Sequence, residues 1–218
     1  MNTADSSASP VVLVFGEHRP GRALSDVPTH RIDTHTEIDS AIGHYRRVVV
    51  VGSDSDLAAL LTRLLRAGRL DVEVAYVPRR RTAATRVYRL PAGRRAARRA
   101  RRGSAQRVTL IRDDTGSVVV GRARWLPPDG EALIHGEATV DDTRLFDGDV
   151  GGVDVEPTLT VPGLRARVAG RRWRGWVAGR AAQLGSTGAA VLRDGVPAPR
   201  VTRRSTFYRN VEGWLLVR

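Results

Sequence analysis

Short, unbroken apolar segments in the first half of the chain predict buried β-strands. Residues 11–15 (VVLVF) and 48–51 (VVVV) have this character, and 72–77 (VEVAYV) forms a third such segment. Residues 29–32 predict a shorter strand. Residues 56–67 place leucine and alanine at helical spacing. This alternation of strand and helix predicts an α/β domain built on a Rossmann-like parallel sheet.

Two further helices are predicted from the signals at their ends. Thr34 and Glu37 form the pattern of a capping box, which predicts a helix that runs towards Tyr45. A second helix is predicted over residues 91–102, with proline at its first residue and glycine directly after its last. Its apolar residues are mostly alanine, so it can bury only a narrow stripe.

From Gln106 onward the sequence changes to short β-rich segments separated by turn signals. The turn signals lie at residues 113–116, 127–130, 147–148, 151–152, 162–163 and 194–195. This spacing predicts an antiparallel β-sandwich or barrel without a long helix. We therefore expect a disordered N-terminus over residues 1–10, an α/β domain over 11–103 and a β-rich domain over 104–218.

Positive charge is concentrated in one part of the chain. All 36 basic residues are arginine, and the formal net charge is +13. Residues 78–107 contain twelve arginines and no acidic residue, so they account for nearly all of that excess. Codon usage in a GC-rich genome is the simplest reason for arginine in place of lysine. Without lysine the chain cannot form a Schiff base or a Walker-type phosphate contact.

Composition also indicates a compartment. The chain has no cysteine, which excludes disulfides and thiolate metal sites and fits a reducing environment. No apolar segment approaches the roughly 20 residues that would span a bilayer. The first ten residues are polar and lack the pattern of a signal peptide. We expect a cytoplasmic protein.

The strongest candidate site is the loop that follows the second long valine segment. It consists of Gly52, Ser53, Asp54, Ser55 and Asp56. A turn of small residues between a parallel strand and a helix directs backbone N–H groups and the positive end of the helix towards an anion. The next strand ends in the sequence PRRRT, residues 78–82. Two strand ends could therefore face one phosphate-binding site.

These two loops resemble the signature of the diacylglycerol-kinase-like lipid kinases, which are relatives of NAD kinase. That signature is a strand, the sequence GGDGT, a helix, a second strand and the sequence PxGTxND. Gly52 and Asp54 match the first glycine and the aspartate, whereas serine, serine and Asp56 replace the two other glycines and the threonine. Pro78 and Thr82 keep approximate register in the second sequence, and arginines occupy the positions between them.

The end of the chain extends the resemblance. Residues 189–217 resemble the closing segment of these kinases, in which an Asp-Gly-Glu turn precedes a final strand that returns to the first domain. Here Val196 stands in place of the glutamate. The chain is also markedly shorter than typical active members of that family.

The resemblance implies ATP with Mg²⁺ as cofactors and phosphoryl transfer to a lipid hydroxyl. It implies a catalytic role for Asp54. The implied phosphate-binding residues are Gly52, Ser53, Ser55, Arg79, Arg80, Arg81 and Thr82. Because two loop glycines are replaced and Asp56 adds negative charge, we expect weak or absent phosphoryl transfer.

A second hypothesis is a non-catalytic binding module. In that case the arginine-rich segment would bind a phosphorylated small molecule, an acidic protein partner or an acidic lipid at a membrane surface. Nucleic acid is the least favoured partner, because the chain carries no recognisable nucleic-acid-binding motif. For the helix over residues 91–102 a solvated surface helix is the preferred interpretation, and a contact with phosphate or acidic lipid is the alternative.

Overall fold

The computed structural model describes residues 10–43, 45–170 and 175–218. The chain forms two compact units. The first contains residues 10–108 together with Glu212–Arg218, and the second is Thr109–Val211. The sequence placed the boundary near Gly103; in the structure the next strand belongs to the first unit, where it pairs with the last strand of the chain.

The described residues form strands and α-helices with the following bounds. The strands are β1 (Val11–Phe15), β2 (Thr29–Ile32), β3 (Arg47–Val51), β4 (Glu73–Tyr76), β5 (Ala105–Val108), β6 (Ile111–Asp113), β7 (Val118–Val119), β8 (Ala123–Leu126), β9 (Ile134–Val140), β10 (Thr143–Val150), β11 (Val153–Pro157), β12 (Leu164–Val168), β13 (Val177–Gly179), β14 (Ala181–Arg193), β15 (Val196–Pro197), β16 (Thr202–Arg209) and β17 (Trp214–Val217). The helices are α1 (Ile38–Ile42), α2 (Asp54–Arg66), α3 (Ala83–Val87) and α4 (Gly93–Arg102).

The first unit is built on a sheet with strand order β2-β1-β3-β4-β17-β5. All its pairings are parallel except that of β17 with β5. The predicted parallel sheet is confirmed. Every residue of β1 is buried, as expected for a strand that is covered on both faces. The alanine stripe of α4 packs in one cluster with Val12, Val14, Val49 and Val51.

The strand order reverses at β1, which pairs with β2 on one side and with β3 on the other. At such a point the chain connections leave the sheet in opposite directions, so a crevice opens beyond the carboxyl ends of the strands. Ligands of open α/β sheets bind in this crevice. The loops that follow β1, β3 and β4 are therefore the expected place for a ligand site.

Three predicted helix boundaries were wrong. The helix predicted over residues 91–102 begins at Gly93, with Ala92 as its N-cap, so the proline lies outside it. The helix after β3 begins at Asp54 instead of residue 56, because Ser53 is its N-cap. The helix expected towards Tyr45 is only a 3₁₀ turn followed by the short α1. Thr34 donates to the Glu37 carboxylate at 3.0 Å and does not cap the backbone, so no capping box forms there. The short α3 was not predicted.

The second unit is antiparallel in every pairing that its described strands make. The described residues after Gln106 contain no helix, which confirms the predicted change of fold class. Asp147 and Gly148 do not form the expected turn. They lie inside β10, opposite Glu137 and Gly136 of β9.

The Asp194-Gly195 turn connects β14 to β15, as the closing segment predicted. The Asp194 carboxylate accepts three backbone N–H groups, those of Val120, Gly121 and Arg122, at 2.7 to 2.9 Å. Asp194 therefore fixes a neighbouring segment of its own unit. Among the described helices, none is long and apolar enough to cross a membrane.

Candidate functional site

The loop between β3 and α2 has ordinary backbone geometry. Ser53 adopts an extended conformation, with φ −89° and ψ 175°. Serine at this position therefore carries none of the strain that a positive φ would impose. Gly52 is required for space: a Cβ atom there would lie 2.6 Å from Oδ2 of Asp56.

The carboxylate of Asp56 occupies the donors of this loop. Oδ2 of Asp56 accepts the backbone N–H of Ser53 at 2.8 Å and the Ser53 hydroxyl at 2.7 Å. Oδ1 lies 3.3 Å from Nε2 of His35. Only 16% of the Asp56 side chain is exposed. A carboxylate of the chain thus takes the N–H and hydroxyl donors of Ser53, one of the residues predicted to bind phosphate.

Asp54 connects the two candidate loops. Its Oδ1 accepts the hydroxyl of Tyr76, the last residue of β4, at 2.8 Å. Its Oδ2 accepts the backbone N–H of Ala84, in the first turn of α3, at 3.1 Å. Both carboxylate oxygens are therefore engaged within the protein. The Ser55 hydroxyl lies 2.8 Å from the Ser53 hydroxyl and belongs to the same network.

Tyr76 is held as a hydrogen-bond donor. Burial raises the pKa of Tyr76 far above its usual value, and the negative charge of Asp54 and the hydrogen bond between them raise it further. The phenol consequently stays protonated wherever the protein is folded at ordinary pH.

Stability should fall in alkaline solution because of this tyrosine. The unfolded chain loses the phenolic proton near pH 10, whereas the folded protein retains it. The contribution of Tyr76 is therefore complete below that pH and decreases above it by about 1.4 kcal/mol per pH unit. Denaturant unfolding between about pH 9 and 11.5 should show this decrease in the wild type and a smaller one in Tyr76→Phe. The chain has no lysine or cysteine to add titrations in this range. Equal slopes for the two proteins would contradict the assignment.

The loop after β4 has two parts. Thr82 caps α3, accepting the backbone N–H of Thr85 at 3.2 Å, while the Thr85 hydroxyl accepts the N–H of Thr82. Arg79, Arg80 and Arg81 are exposed, and their side chains form no ion pair within the described residues. Thr82 is thus a structural cap, whereas the three arginines before it are exposed.

A cavity of about 600 Å³ opens at the carboxyl edge of the parallel sheet. Three arginines contribute to its wall: Arg19 after β1, Arg79 after β4 and Arg94 in the first turn of α4. Val51, the last residue of β3, and Val77, directly after β4, supply apolar surface. We call this the switch-point cavity, because it lies where the strand order reverses.

Only some of the predicted arginines line the cavity. Of the three arginines after β4, Arg79 lines it, whereas Arg80 and Arg81 are not among its lining residues. Sequence reasoning missed Arg19 and Arg94. Arg19 could have been found, because it lies in the loop directly after a predicted parallel strand. The backbone holds this wall together: Gly93 N–H donates to the carbonyl of Pro78 at 2.8 Å.

Metal ligands are sparse. The part of the chain that the structure describes has no cluster of three or more His, Cys, Asp or Glu side chains able to hold a metal ion. Mg²⁺ is usually held by one or two carboxylates together with substrate phosphates. Asp54 and Asp56 are the carboxylates of the candidate loop, and each already accepts two hydrogen bonds from the protein.

Solved structures share this fold. A diacylglycerol kinase from Bacillus anthracis str. Sterne matches with a TM-score of 0.71 and 10% sequence identity over 96% of both chains. An NAD kinase from Archaeoglobus fulgidus in complex with ATP matches with a TM-score of 0.66 and 12% identity over 96% of this chain and 93% of the other. No protein-family model and no curated protein sequence matches. The chain therefore has the fold of diacylglycerol kinases and NAD kinases, as its loops and closing segment predicted.

Proposed function

We propose that this kinase-like fold binds a nucleotide or a related phosphorylated small molecule in the switch-point cavity, with weak or no phosphoryl transfer. The observation that carries the proposal is the position of the cavity, at the carboxyl edge of a parallel sheet where the strand order reverses. The fold shared with an NAD kinase that was crystallised with ATP supports it.

The wall of the cavity suits a ligand with one apolar part and one anionic part. Val51, Val77 and Pro78 offer a surface against which a flat base can pack. Arg79 and Arg94 offer guanidinium groups, which bind phosphate oxygens through paired N–H donors. The volume, about 600 Å³, lies within the range of small-molecule sites.

The neighbouring loop is less suited to transfer. Phosphoryl transfer depends on donors and cations that are positioned around the transferred group. Here the Ser53 donors bind Asp56, and Asp54 links two loops through both of its oxygens. Both aspartates are committed to hydrogen bonds within the protein, so the loop offers no ready carboxylate for a metal ion. Binding without efficient turnover is the function that this arrangement favours.

Nucleotides should stabilise the protein, and this effect should depend on Arg79 and Arg94. A ligand at about 100 times its Kd raises the free energy of unfolding by about 2.7 kcal/mol, which a thermal shift would detect. Inorganic phosphate, AMP, ADP and ATP should be compared. In Arg79→Ala/Arg94→Ala the shift should disappear.

The matched control is Arg80→Ala/Arg81→Ala, which removes the same amount of charge from the loop after β4, outside the cavity wall. This control should keep the nucleotide shift. The proposal is wrong if the wild type shows no shift with any of the four ligands, or if both double variants lose it equally.

A further inference from the structure

The exposed side of α4 is a continuous arginine surface. Its buried stripe consists of Ala96, Ala97 and Ala100. Six of its ten residues are arginine, and all six are exposed: Arg94, Arg95, Arg98, Arg99, Arg101 and Arg102. On the 3.6-residue period of a helix, Arg95, Arg98 and Arg102 lie opposite the alanine stripe. We call these three the α4 crest.

Almost none of this charge is neutralised within the described residues. Arg101 binds Asp26 through two hydrogen bonds of 2.7 and 2.9 Å. The other five arginines of α4 make no ion pair or side-chain hydrogen bond in the part of the chain described. The helix also places arginines four residues apart, as in Arg94 with Arg98 and Arg98 with Arg102, and such like-charge pairs destabilise a helix. A helix sequence that served only stability would have acidic residues at some of these positions.

We propose that the α4 crest and its flanking arginines dock on an anionic lipid bilayer. Clusters of four to eight basic residues on one face of a helix are typical of surfaces that bind anionic lipids. The helix consists only of glycine, alanine and arginine, so it has no large apolar side chain to insert. Docking is therefore electrostatic and reversible, with α4 lying on the headgroups.

The composition of the surface favours a bilayer over nucleic acid. Single-stranded bases are bound by stacking on aromatic side chains, and duplex bases are read by amide side chains together with arginine. Neither α4 nor the neighbouring loop over residues 79–81 contains an aromatic or an amide residue. A plane of lipid phosphates requires only positive charge. The proposal does not depend on which ligand occupies the switch-point cavity.

The test is cosedimentation of the full chain with vesicles, without nucleotide. The wild type should bind vesicles with about one-third phosphatidylglycerol at roughly 0.1 M salt, should not bind pure phosphatidylcholine, and should dissociate near 0.5 M salt. Each arginine near an anionic surface contributes roughly a factor of five in affinity. Arg95→Gln/Arg98→Gln/Arg102→Gln should therefore bind roughly a hundredfold more weakly.

Glutamine forms helices well and relieves the repulsion, so the triple variant should melt at or above the wild-type temperature. The control Arg200→Gln/Arg203→Gln/Arg204→Gln removes the same charge from exposed residues of the second unit and should bind vesicles as the wild type does. Absence of vesicle binding at low salt would overturn the proposal, as would equal weakening in both triple variants. Binding to duplex DNA that depends on the α4 crest, without vesicle binding, would assign the surface to nucleic acid instead.

Discussion

Replacing Asp54 with alanine should lower the free energy of unfolding by about 3 kcal/mol. The change removes two hydrogen bonds to a charged group, each worth about 1.5 to 3 kcal/mol. It leaves the Tyr76 hydroxyl and the Ala84 N–H without their acceptor, and both residues are buried. It also removes a negative charge from the first turn of α2, where that charge interacts favourably with the helix dipole. Denaturant unfolding at neutral pH measures the loss.

Asp39 provides the matched control. It is an exposed aspartate in α1 of the same unit, paired with Arg63 at 2.8 Å. Exposed pairs contribute at most about 1 kcal/mol, so Asp39→Ala should change stability by less than that. A double-mutant cycle between Asp54→Ala and Tyr76→Phe should show coupling of at least about 1 kcal/mol. If Asp54→Ala costs less than Asp39→Ala, then Asp54 does not link the two loops.

The sheet of the first unit could be predicted because its strands have an unambiguous apolar pattern in the sequence. Strands covered on both faces require apolar residues, and β1 supplies them at every position and β3 from Val48 onward. The helix boundaries were harder to predict, because individual side chains decide where a helix begins. Because Ser53 is its N-cap, α2 begins two residues before its predicted start, whereas Thr34 bonds to a side chain and does not cap a helix.

The error at Asp147 and Gly148 has a tertiary cause. An Asp-Gly pair favours a turn when only neighbouring residues are considered. In the structure β10 pairs with β9 from Val150 to Thr143, and the ladder holds both residues within the strand. Local turn preference was overridden by strand pairing, which a sequence window cannot detect.

The candidate site was predicted only in part, because the fold brings together residues that are distant in the sequence. Loops that follow parallel strands could be identified one by one, and Asp54 and Arg79 were found in this way. Arg19 and Arg94 are far apart in the sequence, and the order of the strands brings both to one cavity. The hydrogen bonds of Asp56 could not be predicted from the sequence either, because a charged side chain in this loop could equally have faced solvent.

Removing the charge of Asp56 should strengthen the binding of nucleotides with long phosphate chains. In the proposed complex the base and first phosphate occupy the switch-point cavity, and further phosphates extend towards the N-terminus of α2. There Asp56 occupies the Ser53 donors. At an effective dielectric near 20, a unit charge about 4 Å from a phosphate costs on the order of 4 kcal/mol, which corresponds to an upper bound of roughly three decades in Kd.

Asp56→Asn keeps the size of the side chain and an oxygen that can accept the Ser53 N–H, so the fold should be preserved. Titration calorimetry should show at least a tenfold gain in affinity for ATP, on the order of one-third of that upper bound in free energy, with a smaller gain for AMP. Asp71→Asn, which removes an exposed charge just before β4 at the opposite edge of the sheet, should change neither affinity. Equal gains for ATP and AMP would mean that the phosphates do not approach α2.

Turnover should not follow this gain in binding. Asp54 remains engaged by Tyr76 and Ala84 in Asp56→Asn, so the carboxylate that the fold would offer for phosphoryl transfer is still held inside the protein. We expect undetectable diacylglycerol phosphorylation by both the wild type and this variant, measured with labelled ATP and Mg²⁺. Ready phosphorylation by the wild type that Asp54→Asn abolishes, while the variant stays folded, would instead make Asp54 a catalytic residue and the chain an active lipid kinase.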